Sequence, residues 1–167
     1  MTETSIPAET RIGHVHLRVA DLARAIGFYR DYMGFDLLFN FESAAFLSAG
    51  GYHHHIGLNT WESKDGSPPA PGTTGLYHFA INYPTHKDLA VALKRLLDHG
   101  WSIDGASDHG THEAIYLHDP DSNGIELAWD RHPASGREGT GLSRSVDSRL
   151  TSPACLLSLE NLTRKDT

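Results

Sequence analysis

The segment IGHVHLRV, residues 12–19, alternates apolar and polar side chains. An alternation with a period of two predicts a half-buried strand, with Leu17 and Val19 toward the core. His14 lies on the opposite, polar face of this strand. An imidazole in that position is available to a ligand or a metal ion.

Two later segments repeat this pattern. Residues 77–83, YHFAINY, and residues 124–129, GIELAW, place His78 and Glu126 on the face opposite their apolar side chains. Together with His14, three ligand-type side chains project from three strands onto what could be one concave surface. Two imidazoles and one carboxylate are typical of non-haem Fe(II) sites, and Mn(II), Zn(II) or Ni(II) would also accept them. A single polar residue in such a position is more often simply solvated, so the prediction depends on the position that the three residues share.

The order of predicted elements repeats along the chain. A helix follows the first strand, with Asp21 as N-cap and Gly34 as stop, and a second helix over 87–99 ends at Gly100. About three strands follow each helix; we predict them at 35–41, 44–49 and 54–59, and at 102–104, 113–117 and 124–129. The chain is therefore a tandem repeat of strand, helix and three strands.

Domain boundaries follow from composition. We expect one domain over residues 1–132, with module one at about 10–62 and module two at 76–132. Residues 62–75 are rich in Pro, Gly and Ser and predict a linker. Residues 133–167 are small, polar and aperiodic, which predicts a mostly disordered tail.

Charge and cysteine content restrict the class of partner and the compartment. The formal net charge is −7 and no basic run occurs, so we expect no nucleic-acid or membrane partner. The single cysteine, Cys155, cannot form an intramolecular disulfide, and the start MTETSIPAETR has no apolar stretch of signal-peptide length. We therefore expect a cytoplasmic protein that acts on a small molecule.

Three segments resemble one known family. They are GHVHLRVADLARAIGFYRDYMGF, YHFAINYP and YLHDPDSNGIELAWD. They are similar to the opening, middle and closing parts of the vicinal-oxygen-chelate superfamily, which includes glyoxalases, bleomycin-resistance proteins and extradiol dioxygenases. The stretches GGYHHHIGLNTW and SDHG with YLHDPDSNGIEL look most like the catechol 2,3-dioxygenase branch. The likeness covers about residues 12–132.

The resemblance implies an α+β fold in which two tandem βαβββ modules form a curved mixed sheet around one metal site. The family's ligands map onto His14, His78 and Glu126, the residues that the alternation of apolar and polar side chains also selects. A tyrosine ten residues before the ligand Glu contacts the substrate in the family, and Tyr116 holds that position here. The implied activity is Fe(II)-dependent cleavage of a catechol-like vicinal diol by O2, and we expect a homodimer. Catechol dioxygenases of this kind usually carry four modules, whereas this chain has two.

The three consecutive histidines are assigned by the alternation of side chains along the strand. His54 lies on the same face as the apolar residues Ile56 and Leu58, so we expect it to face the helix, whereas His55 is the better pocket candidate. Glyoxalase-type isomerases take a fourth ligand, a Glu, from this strand, and the equivalent residue here is Gly57. This departure argues for an open three-ligand site. His55 remains a possible fourth ligand or a pocket-lining residue.

A catalytic proton acceptor is expected in the loop SDHGTHEA. His109 and His112 both lie near Tyr116, and His109 follows the family's DHG more closely, so we assign His109 as the catalytic residue. A turn with an exposed histidine is the alternative interpretation. We expect the four remaining histidines outside strands to lie at the surface: His86, His99, His118 and His132.

Two other functions remain open. A metal-dependent isomerase or lyase would use the same three ligands with His55 as a fourth. A metal-free binding or resistance protein would keep the fold and the pocket without ligands.

Overall fold

The computed structural model describes residues 5–131, so the tail from 133 onward and His132 lie outside the described residues. It has the predicted α+β class, with helices and strands that alternate in the order strand, helix, three strands, twice. The elements are β1 Val15–Arg18, α1 Leu22–Gly27, a π-helical turn Phe28–Tyr32, β2 Asp36–Asn40, β3 Ala44–Ser48, β4 Ile56–Asn59, β5 Phe79–Asn82, α2 His86–Asp98, β6 Gly105–Asp108, β7 His112–His118 and β8 Gly124–Asp130.

Each half of the chain forms its own four-stranded mixed sheet. Module one, β1 to β4, has the order β1-β4-β3-β2, and module two, β5 to β8, has the order β5-β8-β7-β6. In both, the first strand pairs in parallel with the last, and the other pairs are antiparallel. β1 and β5 are therefore edge strands, and within residues 5–131 no strand pairing joins the two sheets.

The first helix begins as its sequence predicts. Asp21 is the N-cap, and its carboxylate accepts a hydrogen bond from the Arg24 amide at 3.0 Å. The helix widens after Gly27 into a π-helical turn, in which the Met33 amide bonds to the Phe28 carbonyl. Gly34 follows with φ +87°, where the left-handed backbone ends the helix. An α-helical pattern alone does not predict the π-helical turn.

The second helix packs on the module-two sheet. Thr85 is its N-cap, and its hydroxyl accepts from the Asp88 amide at 3.1 Å. Leu89, Leu93 and Leu96 are buried at helical spacing. Arg95 reaches across to module one, where its Nη1 donates to the Met33 carbonyl at 2.8 Å.

One predicted strand is displaced. We expected a strand at Ser102–Asp104, but β6 runs from Gly105 to Asp108, paired with β7 from Tyr116 to Glu113. Its residues are small and polar, so they carry no apolar alternation by which the strand could have been located.

A buried carboxylate connects the two modules. Asp119, in the turn between β7 and β8, accepts a hydrogen bond from the Tyr29 hydroxyl of module one at 2.9 Å. Its other oxygen accepts from the amides of Asp121 and Asn123, at 2.9 and 2.8 Å. Arg24 adds an ion pair to Asp121 at 2.7 Å. The turn is therefore bonded both within itself and to the first helix.

Aromatic packing extends this contact between the modules. The ring of Trp101, after α2, lies 4.7 Å from Phe28 and 5.3 Å from Tyr32, measured between ring centroids. The core is continuous through both modules. None of the helices among residues 5–131 is long and apolar enough to cross a membrane.

We predict that Tyr29→Phe destabilises the fold, because it removes a hydrogen bond to a buried charged group. The expected loss is about 1.5–3 kcal/mol in the free energy of unfolding, measured by urea denaturation. Tyr32→Phe removes a hydroxyl from a half-buried ring of the same π-helical turn and is the matched control.

The pH dependence gives this prediction a second readout. Burial first, and then the charge of Asp119, raise the pKa of Tyr29 well above its ordinary value. The stabilisation is therefore fully present below the ordinary tyrosine pKa of about 10 and is lost as the pH rises through the folded-state value. The difference between wild type and Tyr29→Phe should narrow above about pH 10. A difference that stays constant across this range would contradict the assignment.

Candidate functional site

Two of the three predicted ligands meet on one face of the module-two sheet. His78 precedes β5, and Glu126 lies on the neighbouring strand β8, opposite Ala80. The His78 Nε2 atom is 3.0 Å from Glu126 Oε2. Glu126 is buried, with 7% of its surface exposed. A buried carboxylate requires a partner of this kind, since an unpaired buried charge is costly.

Tyr116 lies beside this pair. It is directly opposite Glu126 in the β7–β8 ladder, and its ring centroid is 5.8 Å from that of His78. Burial first, and then the charge of Glu126, raise the pKa of Tyr116 above its ordinary value. The phenol therefore stays protonated at neutral pH and can donate a hydrogen bond.

His109 is bonded to this phenol. Its Nε2 lies 2.9 Å from the Tyr116 hydroxyl oxygen. The loop that carries His109 is held by Arg131, whose guanidinium binds the carboxylate of Asp108 and also pairs with Glu113. Arg131 is the main cause of the lowered pKa of Asp108. The exposed loop of His109 is therefore fixed to the end of β8 by an ion-pair network.

His14, the third predicted ligand, does not contact the pair of His78 and Glu126. Its ring lies 4.4 Å from that of His54 and 6.3 Å from that of His53. Among residues 5–131, no group of three or more His, Cys, Asp or Glu side chains is arranged to hold a metal ion.

His14 and His78 nevertheless line one cavity of about 860 Å³. Consecutive residues of β5, from Phe79 to Asn82, line the same cavity. Side chains of consecutive strand residues point to opposite faces, so the cavity must run along the open edge of β5. The cavity therefore joins the two places from which the predicted ligands project.

His55 lines this cavity too. Its Nδ1 accepts a hydrogen bond from the Ala49 amide at 3.2 Å and lies 3.1 Å from the Ser48 hydroxyl. Its ring lies against Tyr52, with centroids 4.9 Å apart. These contacts fix the imidazole against module one and leave Nε2 as its remaining donor or acceptor.

The prediction for His54 is wrong. Its ring lies against His14 and, with centroids 5.0 Å apart, against Phe46, on the face away from the helix. Residues 52–55 form a bend after the Gly50–Gly51 turn, and β4 begins only at Ile56, so strand parity does not extend to residue 54. Burial first, and then the neighbouring histidines, lower the pKa of His54.

Gly57 is covered by an imidazole. His16 is its register partner on β1, and a Cβ atom on Gly57 would lie 2.9 Å from Cγ of the His16 ring. This distance is shorter than a real Cβ contact permits. A longer side chain at residue 57 would require the His16 ring to move. The space that a fourth carboxylate ligand would need is therefore occupied by His16.

Sequence reasoning also missed His112. Its Nε2 lies 3.3 Å from Oε1 of Glu126, on the other side of the carboxylate from His78. The two histidines therefore contact different oxygens of one buried group. His112 lies four residues before Tyr116 on β7 and therefore on the same face of the strand. This even spacing is the signal by which His112 could have been identified.

The remaining histidines lie away from this face or at its border. His99 and His118 are exposed, as predicted. His86 is half-buried and pairs with Glu113 at 2.8 Å.

The chain matches a known family over most of the described residues. Residues 11–127 match the model of the Glyoxalase/Bleomycin resistance protein/Dioxygenase superfamily, so the predicted resemblance is confirmed. The chain is 43% identical over 104 residues to a protein of Bacillus subtilis (strain 168) named catechol-2,3-dioxygenase. The aligned part covers 61% of this chain and 36% of the relative. It is 30% identical over 122 residues to biphenyl-2,3-diol 1,2-dioxygenase 3 of Rhodococcus globerulus, which covers 72% of this chain and 63% of the relative. The chain thus spans about a third of the first relative and less than two thirds of the second.

Solved structures share the fold. A glyoxalase/dioxygenase from Nostoc punctiforme superimposes with a TM-score of 0.61 at 20% identity, over 77% of this chain and 99% of that chain. A lactoylglutathione lyase from Agrobacterium tumefaciens gives 0.58 at 20% identity, over 74% and 96%. Likeness at this level of identity establishes the fold alone.

We predict that Gly57→Ala destabilises the fold, because the new methyl group overlaps the His16 ring. The expected loss is about 1–3 kcal/mol in the free energy of unfolding, measured in urea. Gly105→Ala is the matched control, since it is also a strand glycine but a Cβ there would meet no atom within 4 Å. Equal stabilities of the two variants would contradict the close approach.

Proposed function

Since this chain belongs to the Glyoxalase/Bleomycin resistance protein/Dioxygenase superfamily, we propose that it is an Fe(II)-dependent extradiol-type dioxygenase that cleaves a catechol-like vicinal diol. The proposal rests on one observation above all. Four side chains lie close together on one side of the module-two sheet: His78, Glu126, Tyr116 and His109. His78 contacts Glu126, Tyr116 lies opposite Glu126 on β7, and the Tyr116 hydroxyl contacts His109. Two curated relatives are named as dioxygenases, one of catechol and one of biphenyl-2,3-diol, which supports this choice.

The donor set suits the proposed metal. Two imidazoles and a carboxylate leave positions open on Fe(II) for other ligands. His78 and Glu126 already meet, and His14 is the third ligand in the proposal. The metal, when bound, would hold both vicinal oxygens, lower the pKa of the diol and bind O2. Mn(II), Zn(II) and Ni(II) are alternatives that metal analysis would distinguish.

The protein's own groups would orient the diol and accept its proton. Tyr116, whose phenol stays protonated, donates a hydrogen bond to a substrate oxygen on which charge develops. His109 Nε2 lies 2.9 Å from that hydroxyl, so the diol passes its proton to the Tyr116 oxygen while the phenol proton moves to Nε2. The phenol then donates the proton it received back, as a hydrogen bond, to the substrate oxygen that carries the charge.

A second copy of the chain completes the ligand set in this proposal. Contacts from the first helix and Arg95 hold the modules in an arrangement that leaves the β1 and β5 edges unpaired. Ile12 and Tyr77, beside these two edges, are each 89% exposed. Pairing of β1 from one copy with β5 from another would cover both and bring His14 to the partner's pair. A two-fold dimer contains two such sites.

The rival isomerase reaction has less support here. It would need a fourth ligand, and the ring of His16 occupies the space above Gly57, where the family's isomerases carry a Glu. Ni, Zn or Co bound with His55 as a ligand would favour this rival. Protein that is purified without chelator and holds no metal would favour a metal-free binding protein.

We predict that Tyr116→Phe keeps near-normal metal content and loses activity. Loss of one donor to a developing oxyanion costs about 2.7–4 kcal/mol of barrier, on the order of 10²–10³ in kcat. Oxygen uptake against a panel of catechols measures the rate, and Tyr77→Phe, at an exposed tyrosine beside His78, is the control. Normal turnover by Tyr116→Phe would count against the extradiol mechanism.

Complementation between two inactive variants tests the shared site. His14→Ala and Glu126→Ala homodimers should each be inactive. If His14 acts in the partner's site, half of the sites in each mixed dimer are intact. Random mixing by co-expression should therefore restore about a quarter of wild-type activity. No recovery on mixing would mean that all three ligands come from one chain.

A further inference from the structure

Glu126 has a second partner that the proposed ligand set does not include. His78 contacts its Oε2 at 3.0 Å, and His112 contacts its Oε1 at 3.3 Å. A buried carboxylate loses its hydration, so each of its oxygens needs a donor. His112 places a ring nitrogen beside the oxygen that does not face His78.

The same imidazole supports His109. The rings of His109 and His112 are stacked, with centroids 4.6 Å apart and an angle of 26° between the planes. His109 in turn bonds to Tyr116, which lies opposite Glu126. The four side chains thus form one cluster beside the face shared by β7 and β8.

Small residues on the two strands make room for this cluster. Ala114 and Ala128 are paired between the rows of His112 and Glu126 on the same face. Their methyl groups leave room for the two longer side chains to meet above them. The Thr111 hydroxyl lies 3.1 Å from Nδ1 of His112. When this hydroxyl donates to Nδ1, the hydrogen of the imidazole is on Nε2, where it can be donated to Glu126.

We propose that His112 is a positioning residue with two separate tasks. Through Nε2 it holds Oε1 of Glu126, so that Oε2 is the oxygen presented beside His78. Through its ring face it holds His109 against the Tyr116 hydroxyl. The inference rests on the proposed function, in which Glu126 is a ligand and His109 and Tyr116 contact the substrate. Partners that orient a metal ligand typically change metal affinity or activity by about 10–100-fold.

Two conservative variants separate these tasks. His112→Gln keeps an N–H donor for Glu126 but has no ring to stack on His109. His112→Phe keeps the ring but has no donor. His112→Ala lacks both. The matched control is His118→Ala, which breaks a histidine–carboxylate pair, with Asp104, at the opposite end of β7 from His112.

The measurements are the Fe(II) dissociation constant, obtained anaerobically by competition with a chelator, and kcat and KM on a catechol that the wild type converts. We expect His112→Ala to weaken Fe(II) binding by about 10–100-fold and to lower kcat at saturating Fe(II). His112→Gln should restore Fe(II) affinity but not kcat. His112→Phe should restore kcat at saturating Fe(II) but not Fe(II) affinity. Values for His112→Ala equal to those of His118→Ala would overturn the inference.

A metal-free readout separates this inference from the proposed function. The imidazole nitrogen signals of His78 and His109 in NMR spectra of the metal-free protein should shift in His112→Ala and stay unchanged in His118→Ala. If the wild type binds no Fe(II) and converts no catechol, the proposed function fails, and these shifts alone decide whether His112 positions the two side chains. Unshifted signals in His112→Ala would refute the positioning role.

Discussion

The carboxylate of Asp119 is the interaction on which the rest of the structure depends. It is buried and bonded to two amides of its own turn and to a phenol of the other module. Such a turn fixes the register of the two strands it connects, and this register places Tyr116 opposite Glu126. The same carboxylate therefore sets the geometry of the candidate site and holds the first helix against module two.

The two modules carry unequal shares of the chemistry. Module two holds the carboxylate, the phenol and three imidazoles in one cluster, whereas module one contributes a group of histidines around His14. The two modules thus have the same sheet topology but carry different functional side chains. β1 and β5, each at an open edge of its sheet, carry residues that line the cavity shared by His14 and His78.

The alternation of apolar and polar residues was sufficient to predict which side chains of the long strands share a face. It correctly assigned His78 and Glu126 to one face because Ile125 and Leu127 mark the core side of β8 without ambiguity. The Asp21 N-cap and the glycine stops Gly34 and Gly100 located the helices for similar reasons, since these residues act locally. The fold class and the main elements could therefore be predicted from the sequence.

The remaining features depend on contacts that a local pattern does not contain. His54 was assigned to the wrong face because a bend, which no alternation reveals, separates it from β4. His112 was passed over because its relation to Glu126 depends on the register between two strands and on two small residues between them. The π-helical turn follows from tertiary packing around Tyr29 rather than from helix propensity.

The position of Trp101 gives the contact between the modules an optical signal of its own. Of the three tryptophans in the sequence, Trp61 lies beside His16 of module one and Trp129 beside His86 of module two. Trp101 is the one whose ring packs on the other module, between Phe28 and Tyr32. The indole emission of a protein that retains only Trp101 would therefore report the separation of the modules independently of the melting of either sheet.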